Sequence, residues 1–534
     1  MKLMPRSRLG VAWRSLLALV LVVACTAGAT ATAGLLQIKN IVKDLDLHRA
    51  LVSKQITPPA PGQPENLLLV GVDHRYGEGS SPGNTDTMML VRIDDSSATI
   101  NALSIPRDLA VDIPGVGVEK LNAAYSIGGP TLLLQTLRDD VFPGLNVNHI
   151  LVVDFSSFSN LINAVGCVYA DVDHRYYNHS IGAEDPTTDY SSIDIQPGYQ
   201  KLCGGAGGDF GGPDSALAFV RFRHNDSDIV REARQQDFLR WAKESLPSGQ
   251  TLLGMESTLA VDFGQDVQTD AQLHSTDGVD ELFGLAFNAD GHTLKSIPFP
   301  YSGTETVNGG DDLTYSEAAA EQAYEEFMTP TPPAPSASGS TTTPTPTVTK
   351  PRKKRSKRRA YVPPATLVAD VSDGKTQASQ LGPGVGLPVY YPEYIPDDYV
   401  YCSAATGDCT IGYEPAAAYA NSYPHHYLIH GSGGATYPSY VMTLVASSGG
   451  VSDTGTGEYF TVQGTTWQDP PILNDPSAVK VVNGKVLDEY LQGGAMTLVA
   501  WHTPGAVYWI SNNIQNSIPR AQMVAMAATL SLGA

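Results

Sequence analysis

Asp73 directly follows an apolar run, ENLLLVGV at 65–72, and Asp86 stands in GNTDTMML, just where a second run, MMLVRI at 88–93, begins. Carboxylates delivered to neighbouring loop ends can jointly hold a hard divalent cation, Mg2+ or in its place Mn2+, with water and phosphate oxygens filling the remaining positions. Around these two aspartates the sequence sets a supply of cations. Arg75 lies two residues after Asp73, Arg107 follows an apolar run in SIPRD with Lys120 close behind, and Arg221 and Arg223 in AFVRFRHNDSD lead into a helical pattern carrying Arg231, Arg234 and Gln235. Planar guanidinium forks suit phosphate oxygens and take up the charge that grows on a leaving phosphate. A pyrophosphate substrate accounts for metal and arginines together, and its transfer needs positioning and electrostatics more than a covalent nucleophile. The competing reading is pairing within the protein, with Asp108, Asp226, Asp228 and Glu232 as acidic partners. No GxSxG, HExxH, GxxxxGK[ST] or GxGxxG string occurs in suitable surroundings, which removes serine hydrolase, zincin, NTPase and dinucleotide chemistry.

These residues need elements to position them. The runs at 65–72, 88–93, 99–105 and 149–154 read as buried strands, and 121–139, 156–164 and 228–245 as helices, the first interrupted or started near Gly128-Gly129-Pro130. Strands followed by helices predict an α/β layer arrangement with its site at the carboxyl ends of the strands. In DIVREARQQDFLRWAKES, Ile229, Ala233, Phe238, Leu239 and Trp241 are the expected packed stripe, with Arg231, Arg234 and Gln235 at i, i+3 and i+4 on another face.

At 534 residues the chain is expected to hold two folded units. The reading divides it into a cytoplasmic start at 1–15, a single-pass anchor at 16–36, a juxtamembrane stretch at 37–64, a catalytic domain at 65–328, a Pro/Ser/Thr-rich and basic linker at 329–361, and a mainly β or α+β unit at 362–534. The anchor rests on 22 uncharged residues between Arg14 and Gln37, preceded by basic residues; it would place the protein at the cell membrane with its carboxyl-terminal bulk outside the cytoplasm. A cleaved signal peptide and a lipoprotein site at Val23-Ala24-Cys25 are the rival readings, and each exports the catalytic part. Beyond that segment four cysteines remain, Cys167 with Cys203 in the first unit and Cys402 with Cys409 in the second, as disulfides in an oxidising compartment would require. The net charge is −21, and without the twelve basic residues at 1–14 and 350–359 the balance is 22 basic against 55 acidic, so nucleic acid is excluded as a partner. In the second unit Trp467, Trp501, Tyr508 and Trp509 suit either sugar stacking or core packing.

The strings NLLLVGVDHR, TDTMMLVRID, LSIPRDLAVDIPG, KLNAAYSIGG, VDFSSFSNLINAVGCV and AFVRFRHNDSDIVREARQQDF, in this order over most of 65–245, resemble the LytR-CpsA-Psr family of cell-envelope ligases. The second unit, with VQGTTWQDPPIL and VAWHTPGAVYWISNN, is similar to a carboxyl-terminal module of actinobacterial members. The resemblance implies an α/β/α sandwich with a mixed central sheet. It also implies a phosphotransferase that moves a glycopolymer from a polyprenyl-pyrophosphate carrier to peptidoglycan or another envelope acceptor. Carried over by motif, Asp73 and Asp86 correspond to magnesium ligands, Arg75, Arg107, Arg221, Arg223, Arg231 and Gln235 to pyrophosphate contacts, and Asp228 to their acidic partner, with Lys120 facing the headgroup. Asn84 departs from the pattern, since many members have arginine there, and an amide offers hydrogen bonds without full charge. Hydrolysis of the carrier, glycosylation of a protein, and a non-catalytic polymer-binding scaffold are the alternatives.

Overall fold

The computed structural model describes residues 56–58, 60, 63–73, 83–178, 193–205, 215–222, 228–245, 268–273, 293–307, 310–329, 361–403, 409, 422–446, 459–492 and 494–533. The first unit is built on a six-stranded mixed sheet in the order β11-β6-β1-β2-β3-β12. Its strands are β1 (Glu65–Val72), β2 (Thr85–Asp94), β3 (Thr99–Ile105), β6 (His149–Val153), β11 (Gln268–Thr269) and β12 (Thr293–Ile297). β1, β2 and β3 pair antiparallel in sequence, whereas β6 lies parallel to β1 and β12 parallel to β3. The antiparallel meander brings the carboxyl ends of β1 and β3 and the amino end of β2 to one edge, with Val72 opposite Thr85 and Met88 opposite Ile105.

Alternation along β1 divides its side chains between two layers. Leu68, Val70 and Val72 pack with residues of α1 (Leu121–Thr136) and α5 (Glu317–Met328), while Leu67 and Leu69 join a cluster that includes Leu239 of α4 (Asp228–Ser245). Helices therefore cover both sheet faces, as an α/β/α sandwich requires. Within α1, Gly129 takes φ 62° ahead of Pro130, so the helix bends at the GGP string. The remaining elements of this unit are the hairpins β4 (Ala110–Ile113)/β5 (Gly117–Lys120), β8 (Tyr176–Asn178)/β9 (Ile193–Ile195) and β13 (Tyr301–Val307)/β14 (Gly310–Tyr315), the pair β7 (Val168–Val172)/β10 (Gly198–Leu202), and helices α2 (Phe155–Ala164) and α3 (Ala216–Arg221). Cys167 and Cys203 are joined beside β7 and β10, where the chain is so close that a Cβ on Gly204 would meet the Ser159 carbonyl oxygen at 1.9 Å.

At the end of the sheet away from Asp73, His149 opens β6 with Nδ1 3.1 Å from Asp270 Oδ2 and Nε2 3.4 Å from Glu65 Oε2, all three residues being buried. Burial alone would lower the imidazole pKa, but the two carboxylates reverse the sign and push it up to about 9. His149 is therefore the cation of a buried charged triad.

The second unit is largely β. Its main antiparallel sheet holds β18 (Tyr399–Tyr401), β20 (Thr436–Ala446), β21 (Tyr459–Thr465), β25 (Ala506–Ser511), β24 (Ala495–Thr503), β23 (Lys485–Gln492) and β22 (Ala478–Val482) in that order, with β19 (His425–His430) also on β20. The short strands β15 (Leu367–Ala369), β16 (Tyr390–Pro392), β17 (Tyr394–Pro396) and β26 (Leu530–Leu532) flank it, and α6 (Val371–Leu381) and α7 (Arg520–Ala528) contribute to its core. Trp501, Tyr508 and Trp509 are buried in that unit, which settles their role as packing rather than exposed sugar platforms. Cys402 and Cys409 are disulfide-linked.

Among the described residues no helix is long and apolar enough to cross a membrane. This corrects the expectation of a transmembrane, signal-anchored, single-pass protein; the segment 16–36 that motivated it lies outside the described residues, as does most of the linker at 329–361.

Candidate active site

Sheet topology sets Asp73, Asp86 and Arg107 on one edge, and local hydrogen bonds fix them there. The Asn84 N–H donates to Asp73 Oδ1 at 2.6 Å while the Asp73 N–H donates to the Asn84 carbonyl at 2.9 Å, closing the space between β1 and β2. Asn84 Oδ1 in turn accepts from Ser126 Oγ of α1 at 2.8 Å. The residue that departs from the family pattern therefore serves as a staple between strand and helix.

Asp86 sits between two guanidinium groups. Its Oδ1 is 2.5 Å from Arg107 Nη1 and its Oδ2 is 3.9 Å from Arg221 Nη2, and all three side chains are about one-fifth exposed, with 19% for Asp86 and 18% for each arginine. Arg107 Nε also donates to Asp108 Oδ2 at 3.3 Å, and Lys120 Nζ bridges Asp108 at 3.0 Å and Asp312 at 3.4 Å. Partial burial would lower the Lys120 pKa, but Asp108 and Asp312 outweigh it and raise the value, so the ammonium stays charged. The Arg221 guanidinium lies 3.9 Å above the Phe155 ring at the start of α2. Stacking and ion pairing thus orient the cations in advance. A guanidinium carries five donors, so one carboxylate does not exhaust its capacity for phosphate oxygens.

Gln235 reaches the same place from α4, its Nε2 donating to Thr87 Oγ1 at 2.9 Å and to the Val220 carbonyl at 3.2 Å. Arg231, one turn earlier, is buried. Arg234, expected among the substrate contacts, is packed inward. It is fully buried, its guanidinium lies 4.7 Å from the Tyr176 ring centre and near Phe219 and Phe222, and its Nη1 donates to the Phe222 carbonyl at 2.8 Å. Arg231, Arg234, Phe238 and Trp241 form one buried line along α4, so the packed stripe includes two residues expected on another face. The flat guanidinium permits this because aromatic faces and a carbonyl replace its water. Arg75, Arg223 and the side chain of Asp228 lie outside the described residues.

Thr87, Ser126, Phe155 and Asp312 were not singled out by sequence reasoning. Thr87 is adjacent to Asp86 in the TDT string and was within reach of it; Asp312 comes from a hairpin more than 190 residues after Lys120, and no local signal links the two.

The LytR_cpsA_psr family profile matches residues 35–328. The regulatory protein MsrR of Staphylococcus aureus is 26% identical over 300 residues, covering 54% of this chain and 80% of that protein. A probable cell wall biosynthesis protein, LcpB of Corynebacterium glutamicum, is 33% identical over 201 residues, 35% of this chain and 43% of that one. Among solved structures, the LytR-CPS2A-psr family protein YwtF (TagT) with bound octaprenyl pyrophosphate lipid is 20% identical, covers 53% of this chain and 98% of its own, and aligns with a TM-score of 0.37. With the profile spanning more than half its length, the chain belongs to the LytR_cpsA_psr family.

Proposed function

We propose that this protein is a phosphotransferase that moves a glycopolymer from a polyprenyl-pyrophosphate carrier onto peptidoglycan through a phosphodiester. The observation that carries the reading is the Arg107–Asp86–Arg221 constellation, cations fixed by a carboxylate at the edge where three strands end, with Lys120 and Gln235 beside it. Arg107 and Arg221 hold the pyrophosphate oxygens. An acceptor hydroxyl attacks the phosphorus that bears the sugar, the bridging P–O bond breaks, and polyprenyl phosphate leaves. The new P–O bond replaces the broken one, and the hydroxyl proton is balanced by the departing phosphate monoester. Charge accumulating on the bridging oxygen is met by guanidinium groups that need no reorientation. In this reading Arg75, Arg223 and Arg231 add to the phosphate contacts, with Asp228 orienting them.

Asp73 and Asp86 are the donors for a divalent cation. Among the described residues no group of three or more His, Cys, Asp or Glu is placed to hold an ion, and both Asp86 oxygens face guanidinium groups, so an ion here would take most of its ligands from substrate phosphate and water. Magnesium is the ion this reading names, because it retains waters and takes phosphate oxygens rather than an all-protein cage. Such an ion supplies further neutralisation of the two phosphates. The Cys167–Cys203 disulfide supports an oxidising compartment, outside the cytoplasm, as the place of work. In this reading the second unit is the carboxyl-terminal module of the actinobacterial type. Incubating the purified protein with a synthetic polyprenyl-pyrophosphate sugar tests the reading: a new phosphodiester on added peptidoglycan fragments supports it, and release of phosphorylated sugar regardless of fragments assigns a hydrolase instead.

A further inference from the structure

The linker between the two units suggests a loose tether, yet the units share a packed interface. The rings of Tyr169 and Tyr199, on β7 and β10, belong to one apolar cluster with Ile429, Ile472, Leu498 and Trp509 of the second unit. The Tyr199 N–H donates to Tyr427 Oη at 2.7 Å, Tyr169 Oη donates to the His430 carbonyl at 2.8 Å, and Gln463 and Ser511 both donate to the buried carboxylate of Asp171. A polar network that spans both units at these atoms specifies one docking geometry.

From this interface a column of side chains runs to the candidate active site. Tyr459 of β21 stacks on His174 with ring centres 4.0 Å apart and planes 15° apart, and His174 lies 4.1 Å from Tyr176. The Arg234 guanidinium covers Tyr176 and holds the Phe222 carbonyl, immediately after Arg221. Thr443 Oγ1 of β20 secures the column from the side by donating to the Asp173 carbonyl at 2.9 Å, and Tyr176 Oη donates to Asp173 Oδ1 at 2.8 Å. We infer that the second unit is a positioning element for the first: Tyr459 and Thr443 clamp the His174–Tyr176–Arg234 column, and the column sets the backbone that presents Arg221. The inference rests on the pyrophosphate reading for its consequence but not for its geometry. Tyr459, Thr443, His174 and Tyr176 are positioning residues that touch no substrate.

The test uses the full chain and two readouts. The first is amide hydrogen exchange over 216–222; the second is calorimetric affinity for geranyl pyrophosphate, a short probe of the carrier headgroup. Tyr459→Leu and Thr443→Val are expected to speed exchange in 216–222 and to weaken affinity by about threefold to tenfold, the scale of coupling through packed side chains. Tyr459→Phe and Thr443→Ser, which keep the ring and the hydroxyl, should restore both. On an Arg221→Ala background Tyr459→Leu should cost no further affinity. Wild-type exchange over 216–222 in Tyr459→Leu and Thr443→Val would overturn the positioning role whatever the affinities. If exchange responds but Arg221→Ala leaves affinity unchanged, the positioning role stands and the pyrophosphate reading falls.

Discussion

Arg234→Ala separates a structural arginine from a substrate contact. In the folded protein Arg234 is fully buried, donates to the Phe222 carbonyl and the Tyr176 hydroxyl, and covers three aromatic rings. Burial would raise the pKa of the neighbouring Asp173, but His174, Tyr176 and Arg234 together hold it below the usual carboxylate range. Truncation would leave the buried Phe222 carbonyl without its donor and the half-buried Asp173 carboxylate without a nearby cation. Removing one partner from such an arrangement costs about 3–5 kcal/mol. For a domain of this size that corresponds to a fall of roughly 6–20 °C in the thermal midpoint. Arg221→Ala should cost less stability than Arg234→Ala, because Arg221 keeps about one-fifth of its side chain exposed and its ion pair with Asp86 is long at 3.9 Å, and should act mainly on ligand affinity. Urea unfolding followed by tryptophan fluorescence, with geranyl pyrophosphate titrated into each folded variant, reads both quantities. Wild-type stability with lost affinity in Arg234→Ala would refute the argument and return Arg234 to the phosphate contacts.

The His149 triad gives stability a defined pH dependence. Its folded pKa of about 9 lies above the unfolded value near 6.5. The contribution is therefore complete below about 6.5 and lost as pH rises through 9. His149→Gln should flatten the decline in urea midpoint between pH 6.5 and 9; an unchanged slope would contradict the assignment. Cys203→Ser opens a disulfide that closes a separation of 36 residues and should cost about 4 kcal/mol by the loop-entropy relation, measured under the same urea conditions. Asn84→Arg should tighten geranyl pyrophosphate binding by about fivefold, the worth of one partly exposed charged contact; unchanged or weaker binding would show that the side-chain bond to Ser126 matters more than added charge.

The sheet strands and their site were legible because their signals are local. Apolar runs end in Asp73, begin at Asp86 and end before Arg107, and an antiparallel meander necessarily gathers those ends. Lys120 was legible for the same reason, at the junction of the β4/β5 hairpin and α1. Arg234 was not, because its burial depends on Tyr176, 58 residues earlier, and on the aromatic rings of Phe219 and Phe222 turning inward. Helical period alone places an arginine on a face but cannot state whether aromatic groups await it there. The Glu65–His149–Asp270 triad escaped notice likewise, since three ordinary polar residues become a site only when β1, β6 and β11 align. Linker composition described a tether and carried no information about docking, which is decided by surfaces such as Tyr199 and Tyr427 on opposite units.

Transfer itself can be measured. The purified chain, its Arg221→Ala variant and its Asp86→Asn variant would each be given a polyprenyl-pyrophosphate sugar with and without peptidoglycan fragments, and products resolved by mass spectrometry. A transferase yields polyprenyl phosphate together with a sugar-phosphodiester on the fragments, and both variants should lose more than about tenfold, since each removes a charged contact in the Arg107–Asp86–Arg221 constellation. Equal product from all three proteins would contradict this expectation.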